Sequence, residues 1–159
     1  MITFLKAEEQ HQHSNGGGWV ANTAVVAASA YIGPDARVYG DARVSGNARV
    51  YGDARVCGNA WVYDNAQVCD NAWVYGDAQV CDNAWVYGDA QVFGDAQVYG
   101  DAQVYGGYVF GNARVFGNAQ VCDDALVSGN ARVYGDALVS GDARVSGNAI
   151  LVTSKGERQ

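Results

Sequence analysis

Aliphatic residues fall every six positions along this chain, at Val20, Val26, Ile32, Val38, Val44 and onward to Val104. The series then slips by one residue and resumes at Val109, Val115, Val121, Val127, Val133, Val139, Val145 and Leu151. Most are preceded two places earlier by alanine, so the recurring unit reads Ala-x-Val-x-Gly-Asp/Asn. Residues two apart in an extended segment point the same way, which turns Ala and Val inward and the residues between and after them outward. Gly-Asp/Asn then ends the alternation, because Gly enters positive φ without cost and Asn and Asp tolerate it better than other residues. The predicted element is a short strand followed by a corner. Three such hexads close a triangular coil of 18 residues. Small Ala beside branched Val suits a narrow interior filled without voids. A strict hexapeptide period predicts a single-stranded parallel β-helix, an all-β solenoid.

The repeats amount to between seven and eight coils, a prism about 36 Å long at strand spacing. The expected organisation is an N-terminal cap segment over 1–15, the β-helix over 16–152 and a polar tail over 153–159. Ile2, Phe4 and Leu5 are expected to plug the first coil, since an uncovered coil exposes strand edges. The one slip lies at Val104-Tyr105-Gly106-Gly107-Tyr108-Val109, where Gly107 takes the Ala slot and the Asp/Asn is missing. It reads as a tightened corner absorbed by two glycines, or as a local notch.

The pairing of an aliphatic residue with a small residue four later, as in Val38 with Ala42 and Val44 with Ala48, runs through about 85% of the chain. In this the chain resembles the hexapeptide-repeat family of left-handed parallel β-helices, and the left hand is what that resemblance implies. The wording Gly16-Gly17-Gly18-Trp19-Val20, then Tyr31-Ile32-Gly33-Pro34-Asp35-Ala36, is similar to the phage- and prophage-associated branch of unknown role. Family members commonly form side-by-side trimers, which implies a homo-oligomer.

Composition narrows the class. The 159 residues hold one domain, with no apolar run long enough for a membrane span. Acids follow directly on a very short apolar stretch at the N-terminus, unlike a secretory signal. Cys57, Cys69, Cys81 and Cys122 all occupy the outward slot after the core Val. Cys69 and Cys122 share a side but stand three coils apart, roughly 14 Å at strand spacing, beyond the ~7 Å limit for a disulfide. Free thiols suit a reducing compartment, so the expected location is the cytoplasm of a bacterial host.

Charge is uneven. The net charge is −7, and between Val56 and Ala113 there is no Lys or Arg, only Asp64, Asp70, Asp77, Asp82, Asp89, Asp95 and Asp101. The same coils carry the outward aromatics Trp61, Tyr63, Trp73, Tyr75, Trp85, Tyr87, Phe93, Tyr99, Tyr105, Tyr108 and Phe110. Such a band marks an interaction surface, or a set of self-stacked ladders with Arg43 over Trp61 and Arg55 over Trp73.

The family's acyltransferases use a histidine base, and its carbonic anhydrases hold zinc with three histidines. This chain has only His11 and His13, both ahead of the coils, so neither site has matching positions. A His-x-His near a terminus reads as a solvated tail or a fortuitous metal clip. The repeats nearly lack the Thr rows of ice binding. No cofactor or resident metal is implied. The leading expectation is a non-enzymatic interaction protein, phage- or prophage-derived, whose aromatic and acidic band drives homo-oligomerisation or binds and inhibits a basic host protein such as a defence or nucleic-acid enzyme. Mimicry of DNA is a minor version, since the Asp rows are sparser than duplex charge at one per ~1.7 Å. The acidity and the lack of a basic stripe argue against direct nucleic-acid binding. The alternatives are a small-ligand, nucleotide-type binder at a subunit crevice, with Arg114 and Arg132 stacked to hold a phosphate, and an acyltransferase.

Overall fold

The computed structural model describes residues 9–153 and is an all-β parallel solenoid of about eight turns. Most hexads contribute a strand of two residues, such as Arg43–Val44 or Gln79–Val80, followed by a turn. Three stacks of parallel strands form three faces. One stack runs Trp19, Arg37, Arg55, Trp73, Gln91 in register, a second Val25, Arg43, Trp61, Gln79, Gln97, and a third Tyr31, Arg49, Gln67, Trp85, Gln103. Each step is 18 residues until the slip, where Gln91 meets Tyr108, Gln97 meets Arg114 and Gln103 meets Gln120. The deleted residue is thus absorbed once in every face, after which the 18-residue step returns.

The interior is what the pattern predicts. From Ala30 to Ala137 every inward Ala, Val and Ile is buried, most with no exposed surface. Burying a Val side chain stabilises by roughly 1.5–3 kcal/mol, so one uniform column of valines and alanines supplies most of the apolar driving force. Corner glycines take φ between 61° and 72° from Gly40 onward. At Gly52 an added Cβ would lie 2.8 Å from the Asp70 nitrogen, so consecutive corners pack backbone on backbone.

The two ends differ. At the N-terminal end Gln10–Gln12 pairs antiparallel with Trp19–Ala21. His13 is buried there, with its Nε2 3.0 Å from the Ala30 carbonyl oxygen, and His11 Nδ1 lies 2.9 Å from Asn22 Oδ1. This corrects the expectation of a solvated tail, because the antiparallel strand folds the His-x-His segment onto the first coil. In the last described coil Ala143 and Ala149 are exposed and Val145 and Leu151 half-buried. The expected plug of Ile2, Phe4 and Leu5, and all of the polar tail except Thr153, lie outside the described residues. Among the described residues no helix is long and apolar enough to cross a membrane.

Candidate interaction surface

Outside this uniform interior, each face carries a column of aromatic and thiol side chains in the slot after the core Val. Tyr75, Phe93 and Phe110 stack at 4.9 Å with interplanar angles of 6° and 2°. Tyr99, Phe116 and Tyr134 stack on the second face, and Tyr87 tilts against Tyr105 on the third. Parallel in-register strands place identical slots one strand spacing apart, which is stacking distance for flat rings.

The tryptophans couple to these columns. Trp61, Trp73 and Trp85 lie 4.8–4.9 Å from Tyr63, Tyr75 and Tyr87, the outward residues two places on. Trp73 Nε1 donates to Cys57 Sγ and Trp85 Nε1 to Cys69 Sγ, both at 3.2 Å. Cys57 and Cys69 are buried in consequence. Their place in the outward slot had implied exposure, and the indole of the next coil corrects this by closing over each thiol. Cys81 and Cys122 stay half-buried. Burial pushes both thiols up, helped at Cys122 by the Asp123 carboxylate. The phenols of Tyr39 and Tyr51 are pushed up to about 12 by burial and by Cys57 and Cys69, and that of Tyr63 to about 12 by the Cys81 thiol and burial.

Arginines of the coils before the band lie over aromatic rings, the last of them over a ring of the band itself. The Arg49 guanidinium sits 5.2 Å from the Tyr31 ring and 5.5 Å from that of Tyr51, and Arg55 sits 5.9 Å from Trp73. Arg43 is in register with Trp61. The three tryptophans stand one to a face, with Trp61 and Trp85 exposed and Trp73 half-buried. The structure therefore does not bring them into one patch. It rings the rod with them.

The seven acids of the band are all exposed, but they hold two different positions. Asp64, Asp70 and Asp82 replace the corner glycine and take φ of 58–61°. There the Asp70 and Asp82 carboxylates accept the backbone N–H of Gly88 and Gly100, one coil on. Asp123 does the same for Gly141. Asp77, Asp89 and Asp101 stand in the following slot and accept from Asn59, Asn71 and Asn83. Asp95 shares that slot. Within the acidic band the registers divide these seven among the three edges of the prism. Arg114 and Arg132 are in register on the second face, both exposed, beside the Tyr99, Phe116 and Tyr134 stack.

With this geometry, the YdcK β-solenoid repeat matches residues 36–52, 48–64, 78–94, 90–106, 108–123, 119–135, 125–141 and 131–147. Together these spans cover more than half of the chain. The chain belongs to the YdcK β-solenoid repeat family. No curated protein and no solved structure matches it. The YdcK-type repeat accounts for the coil, and the ring of Trp–Tyr pairs and Asp corners is decoration laid over it.

Among the described residues no group of His, Cys, Asp and Glu is arranged to hold a metal ion. Both histidines are engaged at the first coil, and the two thiols with perturbed acidity are pushed away from the reactive thiolate.

Proposed function

We propose that this protein is a non-enzymatic interaction module whose central coils form a homo-oligomeric contact or dock on a basic protein. One observation carries the reading. Trp61, Trp73 and Trp85 stay partly open to solvent, each in contact with a tyrosine, in coils whose exposed charges are all carboxylates. Tryptophan and tyrosine are the side chains most often found at the energetic centre of interfaces. A surface of one charge sign steers partners of the opposite sign and raises their rate of encounter. The non-enzymatic part of the reading is supported by the absence of any histidine in the coils and by the burial that pushes the Cys81 and Cys122 thiols up. The resemblance of residues 16–20 and 31–36 to phage-associated chains supports a partner inside a bacterial host cell, with inhibition of that partner as the simplest consequence.

Sedimentation velocity tests the self-association arm, with wild type against Trp73→Ala and Trp85→Ala. A dimer or trimer that falls to monomer in the variants supports it; a monomer throughout removes it. The basic-partner arm predicts salt-sensitive binding to a cationic protein, weakened by the same two substitutions.

A second reading has its own observation. Arg114 and Arg132 form no ion pair among the described residues and lie beside a three-ring stack. Two guanidiniums and an aromatic face suit a nucleotide-type ligand. Retention on immobilised ATP that is lost in Arg132→Gln tests it.

A further inference from the structure

At one edge of the prism the chain omits a rung. In the other coils this edge carries an Asn or Asp from each turn, as at Asn71, Asp89 and Asp124. In the coil between Asp89 and Asp124 the slot is gone, and the strand Gln103–Val109 runs through the corner with its register shifted between Gly106 and Tyr108. Gly106 and Gly107 take φ of 72° and 68°, and a Cβ on either would lie 2.7 or 2.6 Å from the carbonyl oxygen of Asp123 or Ala125. No side chain can stand in the gap. What remains is a recess of about 280 Å³ lined by Gly88, Asp89, Tyr105, Gly106, Gly107, Tyr108, Asp123 and Asp124.

Three features of this recess agree. Tyr105 and Tyr108 are 50% and 39% exposed, while the rings stacked elsewhere in the ladders are only partly open. Asp89, Asp123 and Asp124 form no ion pair among the described residues, and residues 56–113 contain no Lys or Arg to neutralise them. Finally, the chain shows what such rings take where a cation is available: Tyr31 and Tyr51 lie under Arg49, and Trp73 under Arg55.

We propose that this notch is a receptor for one cationic group, an alkylammonium or a guanidinium, held between the two tyrosines and the flanking carboxylates. The volume admits the end of a Lys or Arg side chain or one segment of a polyamine. The proposal rests on the reading of the central coils as a binding surface in one respect, since a basic partner is the natural bearer of such a group. A single contact of a cation with an aromatic ring is weak at an exposed site, so the notch on its own binds weakly and contributes selectivity.

The test uses the whole ¹⁵N-labelled protein at constant ionic strength, titrated separately with arginine amide, spermidine and the peptide acetyl-Gly-Arg-Gly-amide. Saturable shifts of the Gly88, Gly106 and Gly107 amides are expected. Asp124→Asn places at this rung the residue that Asn118 and Asn130 carry at theirs, so the fold is retained. It is expected to weaken binding about threefold, and the Tyr105→Leu/Tyr108→Leu pair to remove saturation, on the scale of one lost charge or ring contact. Tighter binding of the peptide assigns the notch to a protein partner, and tighter binding of spermidine to a free polyamine. Shifts that are absent, or equally large at the Gly76 and Gly94 corners, overturn the proposal. So does an unchanged affinity in a Tyr105→Leu/Tyr108→Leu protein whose remaining spectrum is native. Loss of oligomer or partner effects in Trp73→Ala bears only on the broader surface, so the two ideas fail separately.

Discussion

The coils from Ala36 to Arg55 and those from Val56 to Ala113 share one interior and have different exteriors. Inside, both present fully buried Ala and Val in the same register. Outside, the first set carries Arg37, Arg43, Arg49 and Arg55, and the second carries Trp or Gln in that slot as far as Gln103 and then Tyr108, with acids as its only charges. The comparison separates two jobs that most folds mix. An interior that repeats can fix the coil by itself, which leaves the outward slots free to vary with little cost to the fold. The exterior chemistry here changes over an unchanged core.

The strongest way to break this comparison is to disturb the shared interior in both regions. Val44→Ala and Val80→Ala should each cost about 2 kcal/mol in urea unfolding, from lost burial plus a cavity. A much smaller cost in the central coils would mean that their outer ladders, and not their core, hold them together.

Corners come next. Gly52→Ala should cost about 1–2 kcal/mol, because φ is 64° and the new Cβ meets the Asp70 nitrogen. Asp70→Gly should be close to neutral, since relief of the left-handed backbone offsets the lost hydrogen bond to Gly88. Asp70→Ala, which keeps a left-handed backbone already present in the wild type and loses the acceptor, should fall between the two. Thermal unfolding of these variants ranks them, and a harmless Asp70→Ala would sink the account of why acids replace glycine there.

The outer layer is expected to matter less for stability and more for reactivity. Trp73→Leu removes the ring contacts with Tyr75 and Arg55 and uncovers Cys57, at roughly 1 kcal/mol. Cys57 should then react readily with a thiol reagent, while in the wild type Cys81 and Cys122 react first. Mass spectrometry of the labelled peptides decides it.

The smallest expected effect is alkaline. The phenols of Tyr39, Tyr51 and Tyr63 sit near 12 when folded and near their ordinary value of 10 when unfolded. Their folded values are raised, so their stabilisation is fully present below pH 10 and is lost as pH rises toward 12, where the unfolded chain gives up protons the folded one retains. Tyrosinate absorbance should show a late-titrating class that joins the rest in urea.

Much of this was legible in the residues. The period specifies strand, corner and coil, and a count of hexads is enough to set Tyr75 over Phe93, Tyr99 over Phe116 and Arg55 over Trp73. It failed where a side chain reaches diagonally to another slot. The cover of Trp73 over Cys57 and Trp85 over Cys69 spans 16 residues, two short of a full coil, and depends on which way each indole turns. The burial of His13 is not legible in the period for a related reason, since it follows an antiparallel strand outside the repeat.

The sequence by itself determined the coil. A six-residue period with two small inward positions leaves the backbone one economical way to bury them, and the YdcK-type repeat is that solution. Only the tertiary structure decided what the outside became. It closed two thiols under indoles, divided seven acids among three edges, and opened a recess where one rung is missing. Those outcomes depend on which residues the stacking of separate coils brings together, and on how each side chain turns once it is there. A linear period carries the first in part and the second not at all.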